Sequence, residues 1–302
     1  MSDDRRAARS MPDNESVAAN MLGAIPPPGL VLLAIVAIQL GAAFATNLFP
    51  VIGADGAVAV RIIFAAILLL IVSRTGIRQT TRIFAQNRML LLMFGLCLAA
   101  MNMFFYQSIA RIPLGAAVAI EFIGPLGVAA FNSRRVSHFG WVALAAAGIA
   151  LLSPLSGIDL DPIGILFAVL AGTGWALFII LSTRVSSRIP GHDGLAIGMT
   201  VAACAMIPFA IPALPAMVND PLIIFVGIGV ALLSTSIPFT LEFEALKKIT
   251  KRMYGVLVSV EPAVAALIGA VILGERMGIQ GMIAVACVVA AAAGITATDK
   301  HE

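Results

Sequence analysis

Charged residues are scarce in this sequence: Asp, Glu, Lys and Arg make up 12% of its 302 residues, about half of the roughly 25% found in soluble domains. With 60% hydrophobic residues and a mean hydropathy of +1.03, the chain is excluded from the ordinary soluble class and reads as a polytopic membrane protein. Cysteine is nearly absent too. Cys97, Cys204 and Cys287 are odd in number, fall inside apolar runs and lack pairing or metal-ligand spacing, which excludes a disulfide framework and a zinc site. The three histidines, His138, His192 and His301, lie in loops or the tail, so any proton coupling in the apolar core falls to a carboxyl group. Aromatics reach only 7% and form no cluster; Trp175 and Met206 read as packing or lipid-facing residues rather than a cation cage.

Catalytic signatures are missing as well. No nucleophile elbow, P-loop, paired zinc motif or Gly-rich dinucleotide turn appears, and no polar stretch is long enough to fold as a catalytic domain. An enzyme is excluded, and no catalytic residue, metal or cofactor is expected. The net charge of +3 comes from basic residues in short loops rather than a basic helix or aromatic-interleaved patch, so nucleic acid is not an expected partner.

What the chain has is apolar runs of spanning length, about 20 residues each. They begin near Leu30, Gly56, Met89, Leu114, Phe139, Pro162, Asp193, Leu222, Met253 and Gly278, the fifth unusually short. Residues 1–28 form a polar tail ahead of them, ending in Pro26-Pro27-Pro28; residues 298–302 form a second tail. Val31 to Ile38 followed by Ala43-Phe44-Ala45 fits a signal-peptide pattern, but the long acidic tail before it argues otherwise. With a cytoplasmic amino terminus, 16 of the 19 basic residues fall on the cytoplasmic side. Arg111 and Arg276 stay outside, with Arg61 near the outer end of the second span. This asymmetry puts both termini in the cytoplasm.

Glu121 in the fourth run and Glu261 in the ninth occupy matching places in the two halves. Aligning them also aligns Gly115 with Gly255, and a smaller offset sets Gly41-Ala42-Ala43 against Gly174-Trp175-Ala176. The expectation is an all-α membrane protein of ten transmembrane helices in two inverted five-helix repeats, 29–154 and 155–297, with a site near the midplane between them.

An ionised carboxylate at the bilayer centre costs at least about 2.5–3.5 kcal/mol on insertion scales, so it persists where it lines a cavity, is paired or carries protons. Glu121 and Glu261 are therefore the candidate proton-coupling residues. Asn102 and Tyr106, one helical turn apart, fall at the depth of Glu121. Pro238 removes the donor for the Ser234 carbonyl in mid-span. Asn102, Tyr106, Ser234 and Glu242 are the candidate substrate-binding residues. Competing readings exist: an Asn102–Glu121 hydrogen bond that locks helix packing, a solvated ion-pair cluster of Glu242 and Glu244 with Lys247 and Lys248, and an Arg61 that snorkels to the headgroups, the favoured reading for that residue.

Met101-Asn102 with Phe105-Tyr106, Pro113-Leu114-Gly115, Val118-Ala119, Glu121-Phe122, Gly124-Pro125-Leu126 and Ser133-Arg134-Arg135 carry a resemblance in the first half. Leu233-Ser234-Thr235, Pro238, Leu241-Glu242, Ala245-Leu246, Glu261-Pro262-Ala263 and Leu273-Gly274-Glu275 carry it in the second. Together they resemble the drug/metabolite transporter superfamily, EamA type, in its branch of bacterial inner-membrane threonine and homoserine exporters. The resemblance implies export of small neutral amino acids by proton antiport with alternating access. It implies as partners an amino-acid substrate, protons and the lipid bilayer, with the chain a monomer or homodimer. The alternatives are an efflux transporter of another substrate class, for which stronger aromatic lining is expected, or a non-transporting scaffold or sensor.

Overall fold

A computed structural model describes residues 25–73, 77–132, 136–151, 160–189, 193–246, 248–249 and 251–298. Most of the two tails, the Ser133-Arg134-Arg135 motif, Lys247, His192, His301 and the boundary between the two expected repeats lie outside these residues. Among the described residues there is no strand. This is what an apolar solvent dictates, because a helix satisfies every backbone N–H and C=O within its own segment.

In chain order the helices are α1 (Pro27–Thr46), α2 (Phe49–Ser73), α3 (Ile77–Ile109), α4 (Leu114–Glu121), α5 (Ile123–Asn132), α6 (Val136–Leu151), α7 (Pro162–Arg188), α8 (Asp193–Ala210), α9 (Leu214–Asn219), α10 (Leu222–Ala231), α11 (Ile237–Leu246), α12 (Lys251–Val258), α13 (Glu261–Ile272) and α14 (Ile279–Thr298). A π-helical turn, Leu232–Ser236, joins α10 to α11. Among the described residues six helical stretches are long and apolar enough to cross a membrane, and four shorter apolar helices accompany them: Leu114–Val128, Phe139–Leu151, Leu222–Thr235 and Ile279–Gly294. The architecture fits a membrane protein.

Three apolar runs that read as continuous are interrupted. The run from Leu114 breaks between α4 and α5, the run from Met253 breaks at Ser259–Val260, and the run from Leu222 passes through the π turn. Each interruption has a proline shortly beyond it. A proline lacks the N–H that would bond the carbonyl four residues earlier, so Pro125, Pro238 and Pro262 leave Glu121, Ser234 and Val258 without that donor. Glu121 consequently ends α4 and Glu261 opens α13. Two carboxylates thus stand at helix breaks inside apolar segments, the arrangement membranes tolerate where backbone lines a cavity or is buried in protein.

Helices of the first half pack mainly on helices of the second. α1 lies against α10, the π turn, α11 and α13; α2 lies against α8; α3 against α7 and α8; α4 against α13 and α7; and α6 against α14. The core between them is built of small and branched residues such as Ala43, Val58, Ala117, Ile120, Ala171 and Ala265. Without water to drive apolar surfaces together, close backbone approach supplies the packing energy.

The end of α13 is fastened to the start of α4. Gly274 adopts a left-handed φ of 67°, which a residue without Cβ takes without strain, and turns the chain so that Glu275 N–H bonds Gly269 O at 3.0 Å. The Glu275 carboxylate then accepts from the N–H of Leu114 at 3.1 and 3.0 Å, capping a helix whose own N-cap, Pro113, offers no side-chain acceptor. Partial burial pushes the Glu275 carboxyl above its ordinary range, and the Leu114 N–H pulls it back. Glu275→Ala leaves a buried N–H unpaired, at a cost of about 1–3 kcal/mol. The expected outcome is a lower unfolding temperature in detergent, partly restored by Glu275→Gln; an unchanged temperature for the alanine variant would refute the clasp.

α3 bends at Asn87, whose φ and ψ of −126° and 25° leave the helical region, and whose side-chain amide donates to the Ile83 carbonyl at 3.3 Å. Ahead of the bend, Ile83 and Phe84 pack on the core while Arg78 and Arg82 are exposed.

Candidate functional site

Among the described residues, four buried side-chain polar atoms have no hydrogen-bond partner: Gln39 Oε1, Arg61 Nε, Tyr106 Oη and Ser234 Oγ. Unpaired buried polar atoms are rare and costly. All four belong to the wall of one cavity of ≈ 220 Å³, which also exposes Asn102, Glu121, Trp175 and Glu261. Its volume is below the about 300–1,000 Å³ of sites for drug-sized ligands, so it suits a small solute.

Each wall residue is set there by its helix. Gln39 comes from α1, Arg61 from α2, Asn102 and Tyr106 from successive turns of α3, Glu121 from the end of α4, Trp175 from α7, Ser234 from the π turn and Glu261 from the start of α13. The π turn comes this close to α1 because position 41 is glycine: a Cβ there would meet the Ser234 N at 3.1 Å and the Leu233 Cβ at 3.2 Å.

The cavity has two poles. At one, the Arg61 guanidinium donates to Asn102 Oδ1, and its Cζ lies 5.0 Å over the Tyr106 ring. Asn102 is itself oriented by its Nδ2, which donates to the Leu98 carbonyl at 2.8 Å. Tyr106 is 1% exposed and is braced by Phe49, with ring centroids 5.8 Å apart. At the other pole, Gln39 Nε2 donates to Glu261 Oε1 at 2.9 Å. Glu121 lies within electrostatic reach of both Arg61 and Glu261. Trp175 stands edge-on to Phe122, 5.4 Å between centroids, beside Glu121. Glu261 occupies the first turn of α13, where the positive helix end favours a carboxylate charge, whereas Glu121 ends α4, where the negative end opposes one. Among the described residues no group of three His, Cys, Asp or Glu is placed to hold a metal ion.

Of the residues singled out from sequence, Glu121, Glu261, Asn102, Tyr106 and Ser234 come together here. Glu242 is absent from this wall; its carboxyl group lies beside Tyr254 instead. Asn102 bonds Arg61 and Leu98 rather than Glu121. Arg61 does not snorkel. In the part of α2 that follows the break at Gly53, Arg61 is half-buried against the cavity and donates to Asn102. Sequence reasoning also passed over Gln39 and set Trp175 aside. Gln39 carried a usable signal, being an amide inside the apolar run Ile35-Val36-Ala37-Ile38-Gln39-Leu40; Trp175 carried none beyond its type.

The chain is similar to known proteins over most of its length. The profile of the EamA-like transporter family matches residues 162–297. Over 279 residues the chain is 40% identical to the threonine/homoserine exporter RhtA of Salmonella typhimurium (strain LT2), covering 90% of this chain and 92% of that protein. It is 38% identical over 281 residues to the threonine/homoserine exporter RhtA of Escherichia coli (strain K12), covering 91% and 93%. The uncharacterized transporter YcbK of Bacillus subtilis (strain 168) is 28% identical over 165 residues, 51% of this chain and 53% of that protein.

Proposed function

We propose that this chain, which belongs to the EamA-like transporter family, exports small neutral amino acids, threonine and homoserine first, from the cytoplasm across a bacterial inner membrane by antiport with protons. The observation that carries the reading is the cavity: a cationic and an anionic pole share one small space, and residues that hold unpaired buried polar atoms line it from both halves of the chain. A zwitterion has the complementary charges, and the Ser234 hydroxyl is free to pair with a side-chain hydroxyl. The named activity of the relatives supports the same substrates.

Ten spans in two inverted repeats, 29–154 and 155–297, supply the alternating access. The packing supports this symmetry, since the pairings α2 with α8, α4 with α13 and α6 with α14 map onto themselves when the halves are exchanged, and α1 with α11 maps onto α7 with α3. The breaks at Glu121 and Glu261 fall in matching spans and give each half a pivot at the same depth. The positive-inside asymmetry supports cytoplasmic termini.

In the cycle, inward opening admits the amino acid, whose ammonium is held at the Glu121 and Glu261 pole while Asn102, Tyr106 and Ser234 bind the remaining polar groups. Outward opening delivers a proton to Glu121, which neutralises its hold on the ammonium and releases the substrate. Proton return to the cytoplasm through the same residue completes the exchange. Purified protein in liposomes should release radiolabelled threonine and homoserine when a pH gradient is imposed and stop when an ionophore collapses it. Flux that ignores the gradient would remove the proton from the reading; absence of flux from folded protein would remove the substrates.

A further inference from the structure

The Arg61 guanidinium is the cavity's fixed cation, and the protein gives it no direct ion pair, Glu121 standing across the cavity wall at longer range. Among the described residues no carboxylate stands within ion-pair distance of it. Its partners are an amide oxygen on Asn102 and the face of Tyr106, both neutral, while its Nε–H has no acceptor. The adjacent Tyr106 hydroxyl is likewise unpartnered although the residue is 1% exposed. A guanidinium kept inside an apolar segment is costly unless an anion joins it. Its fixed fork of donors matches a planar carboxylate, and Tyr106, whose ring centroid lies 5.0 Å from the guanidinium carbon, carries a further unpartnered hydroxyl. Across the cavity, Glu121, Glu261 and the free Gln39 Oε1 offer only acceptors once the glutamates are ionised, which suits an ammonium group.

We infer that Arg61 is the specificity-determining residue of this transporter: its guanidinium takes the substrate's α-carboxylate, so amines and amino alcohols of the same size and side chain are rejected. The inference rests on reading the cavity as the transport site. Asn102, besides lining the cavity, then also positions the guanidinium through its hydrogen bond, and the Tyr106 ring packs against the guanidinium carbon. An amino alcohol leaves the buried guanidinium unpaired, and a site built around a charged hydrogen bond discriminates strongly against a ligand lacking the partner group.

The test compares threonine with threoninol, which keeps the ammonium and the side-chain hydroxyl but replaces the carboxylate by a hydroxymethyl group. Binding is read from intrinsic tryptophan fluorescence in detergent, and transport from competition against labelled threonine efflux in liposomes. The native protein should prefer threonine by roughly 10- to 100-fold, the scale of a charge-assisted hydrogen bond. Arg61→Gln should lose threonine affinity by a similar factor while threoninol affinity stays level, and Arg61→Lys should recover part of the loss. Equal losses for both ligands would assign Arg61 a structural role and overturn the inference, as would unchanged threonine affinity. Should Arg61→Gln fail to fold, the native protein alone decides: acceptance of threoninol as readily as threonine overturns the inference. Native protein that transports neither ligand fails the amino-acid reading itself, whereas native threonine transport with an indifferent Arg61→Gln fails this inference alone.

Discussion

Glu121→Gln is expected to yield a folded protein whose threonine efflux no longer responds to a pH gradient. The amide has the shape of the carboxyl group and fills the same position at the end of α4, where the side chain is 8% exposed, but it cannot take up and release a proton. No hydrogen bond from Glu121 to another described side chain holds the helices together, so its stability cost is small. Efflux driven by an acid exterior should fall to the level of protein-free liposomes, with the circular dichroism spectrum and elution volume of the native protein. Glu261→Gln is the parallel measurement. Its amide oxygen still accepts from Gln39, and its place in the first turn of α13 suits a standing charge rather than a travelling proton. Full pH coupling in Glu121→Gln together with its loss in Glu261→Gln would transfer the proton role to Glu261; full coupling in both would remove it from the cavity.

The second large effect is steric and strikes the same place from behind. A Cβ on Gly172 would lie 2.6 Å from the Glu121 carbonyl oxygen and 3.3 Å from the Glu121 Cα, and a Cβ on Gly124 would lie 2.8 Å from the Gly172 carbonyl carbon. These are backbone atoms, so no rotamer relieves the clash. Gly172→Val must separate α7 from the α4–α5 break, at about 3 kcal/mol or more. The expected outcome is a drop of several degrees in unfolding temperature and loss of threonine efflux. Gly229→Ala, in α10 with nothing within 4 Å of the added carbon, should be neutral or stabilising by up to about 1 kcal/mol. Equal behaviour of the two variants would show that backbone contact at Gly172 does not matter.

Much of this was readable from the sequence. Helix starts at Leu114, Pro162, Asp193 and Leu222 coincide with the beginnings of apolar runs, because a loop's polar residues and prolines mark where hydrocarbon solvation stops. Glu121, Glu261, Asn102, Tyr106 and Ser234 were findable because a polar group in an apolar run has to be explained by partners or function. The same argument reaches Gln39, and the rule that a proline removes the donor for the carbonyl four residues back reaches all three helix interruptions, although only Pro238 was read that way. Arg61 was misread for a different reason. The polar stretch Gly53-Ala54-Asp55-Gly56 does mark a break, Gly53 taking a φ of 70° within α2, so the start of the helix was read nearly correctly. Hydropathy cannot see that Asn102 and Tyr106 of the neighbouring helix receive the guanidinium inside the protein. Glu242 illustrates the opposite limit, since its place beside Tyr254 joins residues from different helices and depends on how they rotate about their axes.

The bend at Asn87 bears on how the protein floats. Straight, the 33 residues of α3 would measure about 50 Å, well beyond a hydrocarbon core of about 30 Å. Divided at Asn87, the longer piece measures about 33 Å and matches the core, while the shorter piece carries Arg78 and Arg82 on its open side, each worth about 1 kcal/mol beside anionic headgroups. The bend thus falls where a hydrocarbon core of that thickness would end, a level at which headgroups would meet the two arginines. Asn102, which orients the cavity's guanidinium, rides on the submerged piece of the same helix. One helix thus carries both the bend beside the exposed arginines and a residue of the cavity wall.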